Sequence, residues 1–286
     1  MDVRHYEDPQ AFMALAESFY GKDTLRHTVA LTAMVRLLTM ERAAAPRMAT
    51  LHDNGDLIGV ALRTPPWPII SSGLPTDPVL LETFLTEWRE VDPELPGASG
   101  PRENVDAVGA AWTRVTGGAT TEVLAGRLYR LGQLTLPTVP GRARLATEDD
   151  IELLAKWRAE FSDEALPDQR DKSGGPEMVR RSFVIQDTVM LWEDGGELVS
   201  WANASTPIGG MSRVGPVYTP PEYRGRGYGS AVTAVVSQRA RDAGARDVIL
   251  FTNLANPTSN SIYQKMGYRP VYDSSELRFT RLPSTT

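Results

Sequence analysis

Apolar positions along the chain fall into helical and strand spacings, and the order in which they do so recurs once. Glu7-Asp8-Pro9 precedes Phe12, Leu15 and Phe19, one face of a helix; Thr147-Glu148-Asp149-Asp150 precedes Ile151, Leu154, Trp157 and Phe161, another. Thr147 has the side chain of an N-cap, and the acids after it sit where the helix dipole favours them. Each helix start is followed by a hairpin pattern. Residues 47–52 and 57–61 flank Asp53-Asn54-Gly55-Asp56, while 188–192 and 197–201 flank Glu193-Asp194-Gly195-Gly196. Asn-Gly and Asp-Gly-Gly supply the positive φ angles of a tight turn. A helix over 28–40, with Val29, Leu31, Met34, Val35, Leu37 and Leu38, is too apolar to stand free in solvent.

Leu134-Thr135-Leu136-Pro137-Thr138-Val139-Pro140-Gly141 is punctuated by proline and glycine and reads as a linker between residues 1–140 and 141–286. The helix starts and the hairpins of the two halves align at one offset of about 141 residues, which suggests a tandem duplication. In the second half the patterns predict a strand at 143–145, helices at 149–162 and 176–186, and the hairpin. A strand at 212–218, a helix at 227–243, a strand at 248–252, a short helix at 257–266 and closing strands at 268–272 and 276–281 follow. Antiparallel strands first and strand–helix–strand crossovers later define an α/β fold, a mixed and mostly antiparallel twisted sheet flanked by helices.

Composition narrows the chemistry. The 286 residues, 41% hydrophobic and 23% charged, suit two globular cores. The absence of cysteine excludes a disulfide scaffold, a thiolate metal site and a cysteine nucleophile, and it suits a reducing, cytoplasmic setting. His5, His27 and His52 have no metal-ligand spacing, so no metal is expected. The start Met1-Asp2-Val3-Arg4-His5-Tyr6 lacks a signal-peptide pattern, and no apolar run approaches the ~20 residues of a membrane span. The net charge is −6, with 12 basic and 17 acidic residues up to position 140 and 18 and 19 after it. That balance argues against nucleic acid as the main partner and leaves the second half free to hold a local basic loop.

Such a loop lies at Val214-Gly215-Pro216-Val217-Tyr218-Thr219-Pro220-Pro221-Glu222-Tyr223-Arg224-Gly225-Arg226-Gly227-Tyr228-Gly229-Ser230. A strand runs through a proline stop into three alternating glycines, and a helix follows with Val232, Val235, Val236 and Ala240 on one face and Gly244 as its terminator. Glycines at a helix start let backbone N–H groups approach an anion, which the dipole stabilises. Arg224 and Arg226 add charge, so a pyrophosphate is the natural guest. A plain tight turn with solvated arginines is the competing reading. The glycine spacing is wrong for a dinucleotide fold, and the Gly-Lys-Ser/Thr of a P-loop is missing. Beyond the next strand, Asn256 is placed to cap a short helix that Pro257 begins and Gly267 ends. Asn256, Asn260 and Tyr263 follow one another by about a turn, and a cap and a core aromatic would explain them equally well.

Arg224-Gly225-Arg226-Gly227-Tyr228-Gly229 resembles the R-x-x-G-x-G signature of the GCN5-related N-acetyltransferase (GNAT) superfamily, and Asn256, Ser259, Tyr263, Gly267 and Tyr268 match its second block. The two blocks stand in the family's order over roughly residues 141–282. The resemblance implies an acyl-CoA N-acyltransferase fold, duplicated in tandem, and an enzyme that moves an acetyl group from acetyl-CoA to a primary amine by direct transfer in a ternary complex. Coenzyme A would be held by Val217, Tyr218, Thr219, Arg224, Gly225, Arg226, Gly227, Tyr228, Gly229 and Ser230, together with Asn256, Ser259, Asn260 and Tyr263. The Tyr218 or Thr219 amide would polarise the acyl carbonyl, and Tyr263, the one catalytic residue implied, would serve the leaving sulfur. A small-molecule amine is the expected acceptor, with no nucleic acid or membrane partner, on a monomer or homodimer. At 83–88, where a repeated loop would fall, there is no glycine, so the first half reads as a degenerate copy.

The base is not legible, since the strand from 212 to 218 carries no carboxylate. Glu160, Asp163 and Glu164 either bind a cationic amine or form a solvated helix end. Trp157, Trp192 and Trp201 either line an acceptor pocket or pack in the core. A non-catalytic acyl-CoA-binding module and an acyltransferase acting on a protein amine are the alternative functions.

Overall fold

A computed structural model of the chain describes residues 1–39, 44–165 and 175–280. The same series of elements occurs twice. The first runs β1 (Asp2–Tyr6), α1 (Pro9–Tyr20), α2 (Thr28–Thr39), β2 (Arg47–Asp53), β3 (Asp56–Arg63), β4 (Ile69–Ile70), α3 (Pro78–Val91), β5 (Gly97–Pro101), α4 (Arg102–Thr116) and β6 (Ala119–Leu131). The second runs β7 (Arg142–Leu145), α5 (Ile151–Ala165), α6 (Pro176–Val184), β8 (Thr188–Asp194), β9 (Glu197–Ala204), β10 (Met211–Tyr218), α7 (Tyr228–Asp242), β11 (Asp247–Asn253), α8 (Pro257–Lys265) and β12 (Tyr268–Thr280). The β2–β3 and β8–β9 hairpins shift register at corresponding points, between Leu51 and His52 and between Trp192 and Glu193. The last residue of the predicted 28–40 helix, Met40, lies outside the described residues.

Two compact units result, Met1–Gly126 with the chain from Tyr272 onward, and Arg127–Val271. The sequence-based division at 140/141 falls within the second unit. In the first unit the strand order is β1-β2-β3-β4-β5-β12, and in the second it is β7-β8-β9-β10-β11-β6. Each unit therefore includes one strand from the other series. The pairs β1–β2, β2–β3, β3–β4, β5–β12, β7–β8, β8–β9 and β9–β10 are antiparallel, and β4–β5 and β10–β11 are parallel. The two predicted closing strands are a single strand, β12. Its polar middle reads as a break, yet Ser274 to Arg278 pair with Pro101 to Gly97, and buried Ser275 donates its hydroxyl to Glu122 at 2.6 Å.

Successive strand residues point to opposite faces, and in the second unit both faces are covered. Met190, Ala202 and Val214 pack with Val232, Val236 and Tyr268 on the α7 side, while Leu191, Trp201 and Tyr218 pack with Leu154 and Trp157 on the α5–α6 side. Trp157, Trp192 and Trp201 are all buried in these cores rather than lining a pocket. In the first unit Phe84, Trp88 and Trp112 fill the core, and Phe279 of β12 stacks on Trp112 at 4.5 Å.

Candidate active site

β10 and β11 begin side by side and then part. Their parallel register runs from Met211↔Asp247 to Arg213↔Ile249 and stops, although β10 continues to Tyr218 and β11 to Asn253. β10 stays bound to β9 on its other edge, Val217 opposite Ala202 and Tyr218 opposite Trp201. The backbone of Val217 and Tyr218 thus turns one edge toward β9 and the other toward the gap, where unpaired main-chain groups can take a ligand. Ser200 stiffens this end by donating to the Tyr218 carbonyl at 2.9 Å and lying 2.8 Å from Thr219 Oγ1.

The glycine loop follows directly. A 3-10 turn at Pro221–Tyr223 leads through extended Arg224 to Gly227, the N-cap of α7, with φ of +84° and no side chain capping the helix. The first-turn amides of Tyr228, Gly229 and Ser230 consequently have no capping oxygen, the condition for holding an anion. Space is tight around the loop. A Cβ on Gly227 would come within 3.0 Å of Val139 Cγ2, and one on Gly229 within 3.1 Å of Thr219 Oγ1. Tyr228 is buried, its hydroxyl donating to Asp194 at 2.5 Å, so its side chain is engaged in the core and only its amide faces the loop's open helix start.

The arginines are placed less simply. Arg224 donates through Nε to the Thr219 carbonyl at 2.8 Å and through Nη2 to Glu164 at 2.8 and 2.9 Å, its guanidinium 5.7 Å from the Tyr218 ring centre. Arg226 donates to the Glu222 carbonyl at 3.4 Å. The α5 acids therefore meet the loop. Glu160 accepts from the Tyr218 hydroxyl at 3.1 Å, one turn before Glu164. Desolvation first, and the bond to Glu160 second, push the Tyr218 hydroxyl up to about 12, so it remains a donor.

Across the gap α8 starts where β11 ends. Asn256 caps it, its side chain accepting from the Ser259 amide at 3.0 Å, and Pro257 is the first residue. Asn260 is wholly engaged: its amide nitrogen donates to the carbonyls of Asn253 at 2.9 Å and Asn256 at 2.7 Å, and its oxygen accepts from the Tyr129 hydroxyl at 2.8 Å. Ser259 is half-buried. Tyr263 is half-buried against the α7-side core, edge-on to Tyr268 with ring centres 6.0 Å apart. Its hydroxyl has no hydrogen-bond partner among the described residues, and burial pushes it up to about 12. Tyr129 and Val139 were invisible to motif reading because both precede position 140. The alternation of β6 residues is the only sequence signal that would have drawn Tyr129 in.

The first unit has a counterpart of the glycine loop, but not at 83–88, which lies inside α3. The equivalent helix start is Asp77-Pro78, displaced because β4 is two residues long where β10 has eight. There the Asp77 carboxylate accepts from the amides of Val79 and Leu80 at 2.9 and 3.0 Å, and Pro78 has no N–H to offer. A fixed negative charge already sits where an anion would bind.

A strand pair that parts, a glycine-started helix beside the free edge and a short capped helix opposite define the acyl-CoA N-acyltransferase fold. Residues 151–268 match the model of the Acetyltransferase (GNAT) family. Among solved structures the chain is similar to an acetyltransferase from the GNAT family of Colwellia psychrerythraea, at 11% identity and TM-score 0.63, over 99% of this chain and 100% of that one. It is similar to a GCN5-related N-acetyltransferase from Kribbella flavida at 20% identity and TM-score 0.60, over 87% and 93%. It is also similar to a tandem GNAT protein from the clavulanic acid biosynthesis pathway at 12% identity and TM-score 0.61, over 99% and 100%. At these identities the likeness speaks for the fold, and it extends over both series of elements. No curated protein matches the chain.

Proposed function

We propose that the protein is an N-acetyltransferase that moves an acetyl group from acetyl-CoA to a primary amine of a small-molecule acceptor, by direct transfer in a ternary complex and in the cytoplasm. The observation that carries this reading is the uncapped glycine start of α7 beside the unpaired edge of β10. The amides of residues 225–230 suit a pyrophosphate, and the free edge at Val217–Tyr218 suits the amide-bearing pantetheine arm. The first unit, with Asp77 on its equivalent amides, is a degenerate copy that binds no coenzyme A.

In the reaction the neutral amine nitrogen attacks the thioester carbonyl carbon, the C–S bond breaks, and the amine's proton ends on the thiol. A backbone amide at Tyr218 or Thr219 stabilises the oxyanion. Tyr263, protonated throughout the physiological range, donates a hydrogen bond to the departing sulfur. Handing over its proton outright, from a group near 12 to a thiol near 8.5, would cost about 5 kcal/mol, so the amine is the better proton source. Glu160, fixed by Tyr218, is the candidate carboxylate for attracting a cationic amine toward the gap.

Calorimetry with acetyl-CoA, followed by a thiol-release screen against amines, aminoglycosides, amino acids and peptides, tests the reading. Release with a small amine supports it. Release only with peptides would make the acceptor a protein amine, and binding without release in any arm would leave an acyl-CoA-binding module.

A further inference from the structure

We propose that Tyr129 is a positioning residue for the α8 side of the site, supplied by β6 and thus by sequence that precedes the linker. The proposal rests on the acetyltransferase reading above. α8 has nine residues and none is fully buried; only Ile262 and Tyr263 pack partly against the core. A helix so short is not stable by itself and must be held by what it touches. What holds it is polar. The Tyr129 ring is completely buried in the second unit's core, which fixes the direction of its hydroxyl. That hydroxyl donates to Asn260 Oδ1 at 2.8 Å and accepts from Gln264 Nε2 at 3.1 Å. Asn260 and Gln264 stand one turn apart on one face of α8, so a single hydroxyl grips two successive turns. Asn260 passes the grip on, its amide nitrogen tying the helix start to the carbonyls of Asn253 and Asn256. The three hydrogen bonds of the Asn260 side-chain amide make it a junction between β11, α8 and β6. Tyr263 lies between the two gripped residues, three after Asn260 and one before Gln264. Rotation or sliding of α8 would move the Tyr263 hydroxyl, and the Tyr129 bonds oppose both motions.

Tyr129→Phe in the full chain removes the hydroxyl and keeps the ring. Amide hydrogen exchange over residues 260–266 is expected to rise ~10-fold or more, with α7 unchanged. The acetyl-CoA dissociation constant should stay within about threefold, while the single-turnover rate, with the amine found in the screen, falls ~10-fold. In a Tyr263→Phe background the same substitution should cost at most twofold, because the group being positioned is gone. Gln264→Ala, at an exposed position, removes one of the two bonds and serves if the Phe variant does not fold; it should act in the same direction with smaller size. Unchanged exchange over 260–266 in an active variant, or an undiminished loss in the Tyr263→Phe background, overturns the inference alone. A wild-type protein that releases no thiol from acetyl-CoA overturns the acetyltransferase reading itself, and the exchange result still reports whether the grip exists.

Discussion

At Gly227 a positive φ coincides with tight space, and the proposed pyrophosphate site adds a need for close backbone approach. An L-residue there meets strain of about 1 kcal/mol or more, and its Cβ meets Val139 Cγ2 at 3.0 Å. Gly227→Ala is therefore expected to weaken acetyl-CoA binding ~10-fold or more in calorimetry; an unaltered dissociation constant would mean the α7 amides do not hold the pyrophosphate. The proposed mechanism also turns on Tyr263. Tyr263→Phe should lower the single-turnover rate by ~10²-fold, the scale of losing a positioned donor, and leave the Michaelis constant for acetyl-CoA nearly unchanged. Because the hydroxyl titrates only at about 12, no loss of rate from its ionisation should appear up to pH 10. A Phe variant within twofold of wild type would make Tyr263 a core aromatic. Both residues were legible in the sequence because their motifs are local. The engagement of Arg224 with Glu164, sixty positions away in the chain, was not.

Among the elements, the first unit offers a test in pH. His27, just before α2, is almost fully buried, lies 3.1 Å through Nδ1 from Ser72 Oγ and packs on the Tyr20 ring at 5.0 Å. Burial lowers it to about 4. The unfolded chain takes up this proton near 6.5 and the folded chain does not, so stability is full above pH 6.5 and falls as pH drops toward 4. The loss amounts to roughly 3 kcal/mol at most. Urea midpoints of wild type and His27→Gln should converge as pH falls from 6.5 to 5; parallel curves would refute the assignment. Element spans follow the periodicity closely, with α7 observed at Tyr228–Asp242 for a predicted 227–243 and α8 at Pro257–Lys265 for 257–266. The failures, two closing strands for one and a vestigial loop at 83–88, arise where a constant repeat offset or a polar run stood in for pairing partners not visible in one segment.

For the molecule as a whole, the placement of β6 makes a cut at 140 destructive. A fragment of 141–286 lacks Tyr129 and Leu131, both buried in the second unit's core, and leaves β11 without its outer neighbour. We expect that fragment to be insoluble or unfolded, and a 127–271 fragment to fold and bind acetyl-CoA, as judged by circular dichroism and calorimetry. Equal stability of the two fragments would show β6 to be dispensable.

Local physics was readable from the sequence alone: turn residues that force hairpins, glycines that open a helix start, a cap and a proline that begin α8, and the repeated order of elements. These depend on neighbours within a turn of helix or a strand's width, so the pattern carries them. Only the tertiary structure decided which strand closes which sheet, that Asp77 occupies the first unit's anion position, and that Asn260 answers to Tyr129. Those outcomes depend on which edges and polar groups meet after the chain has folded back over more than a hundred residues, and hydrogen-bonding groups of one kind are interchangeable until that meeting selects among them.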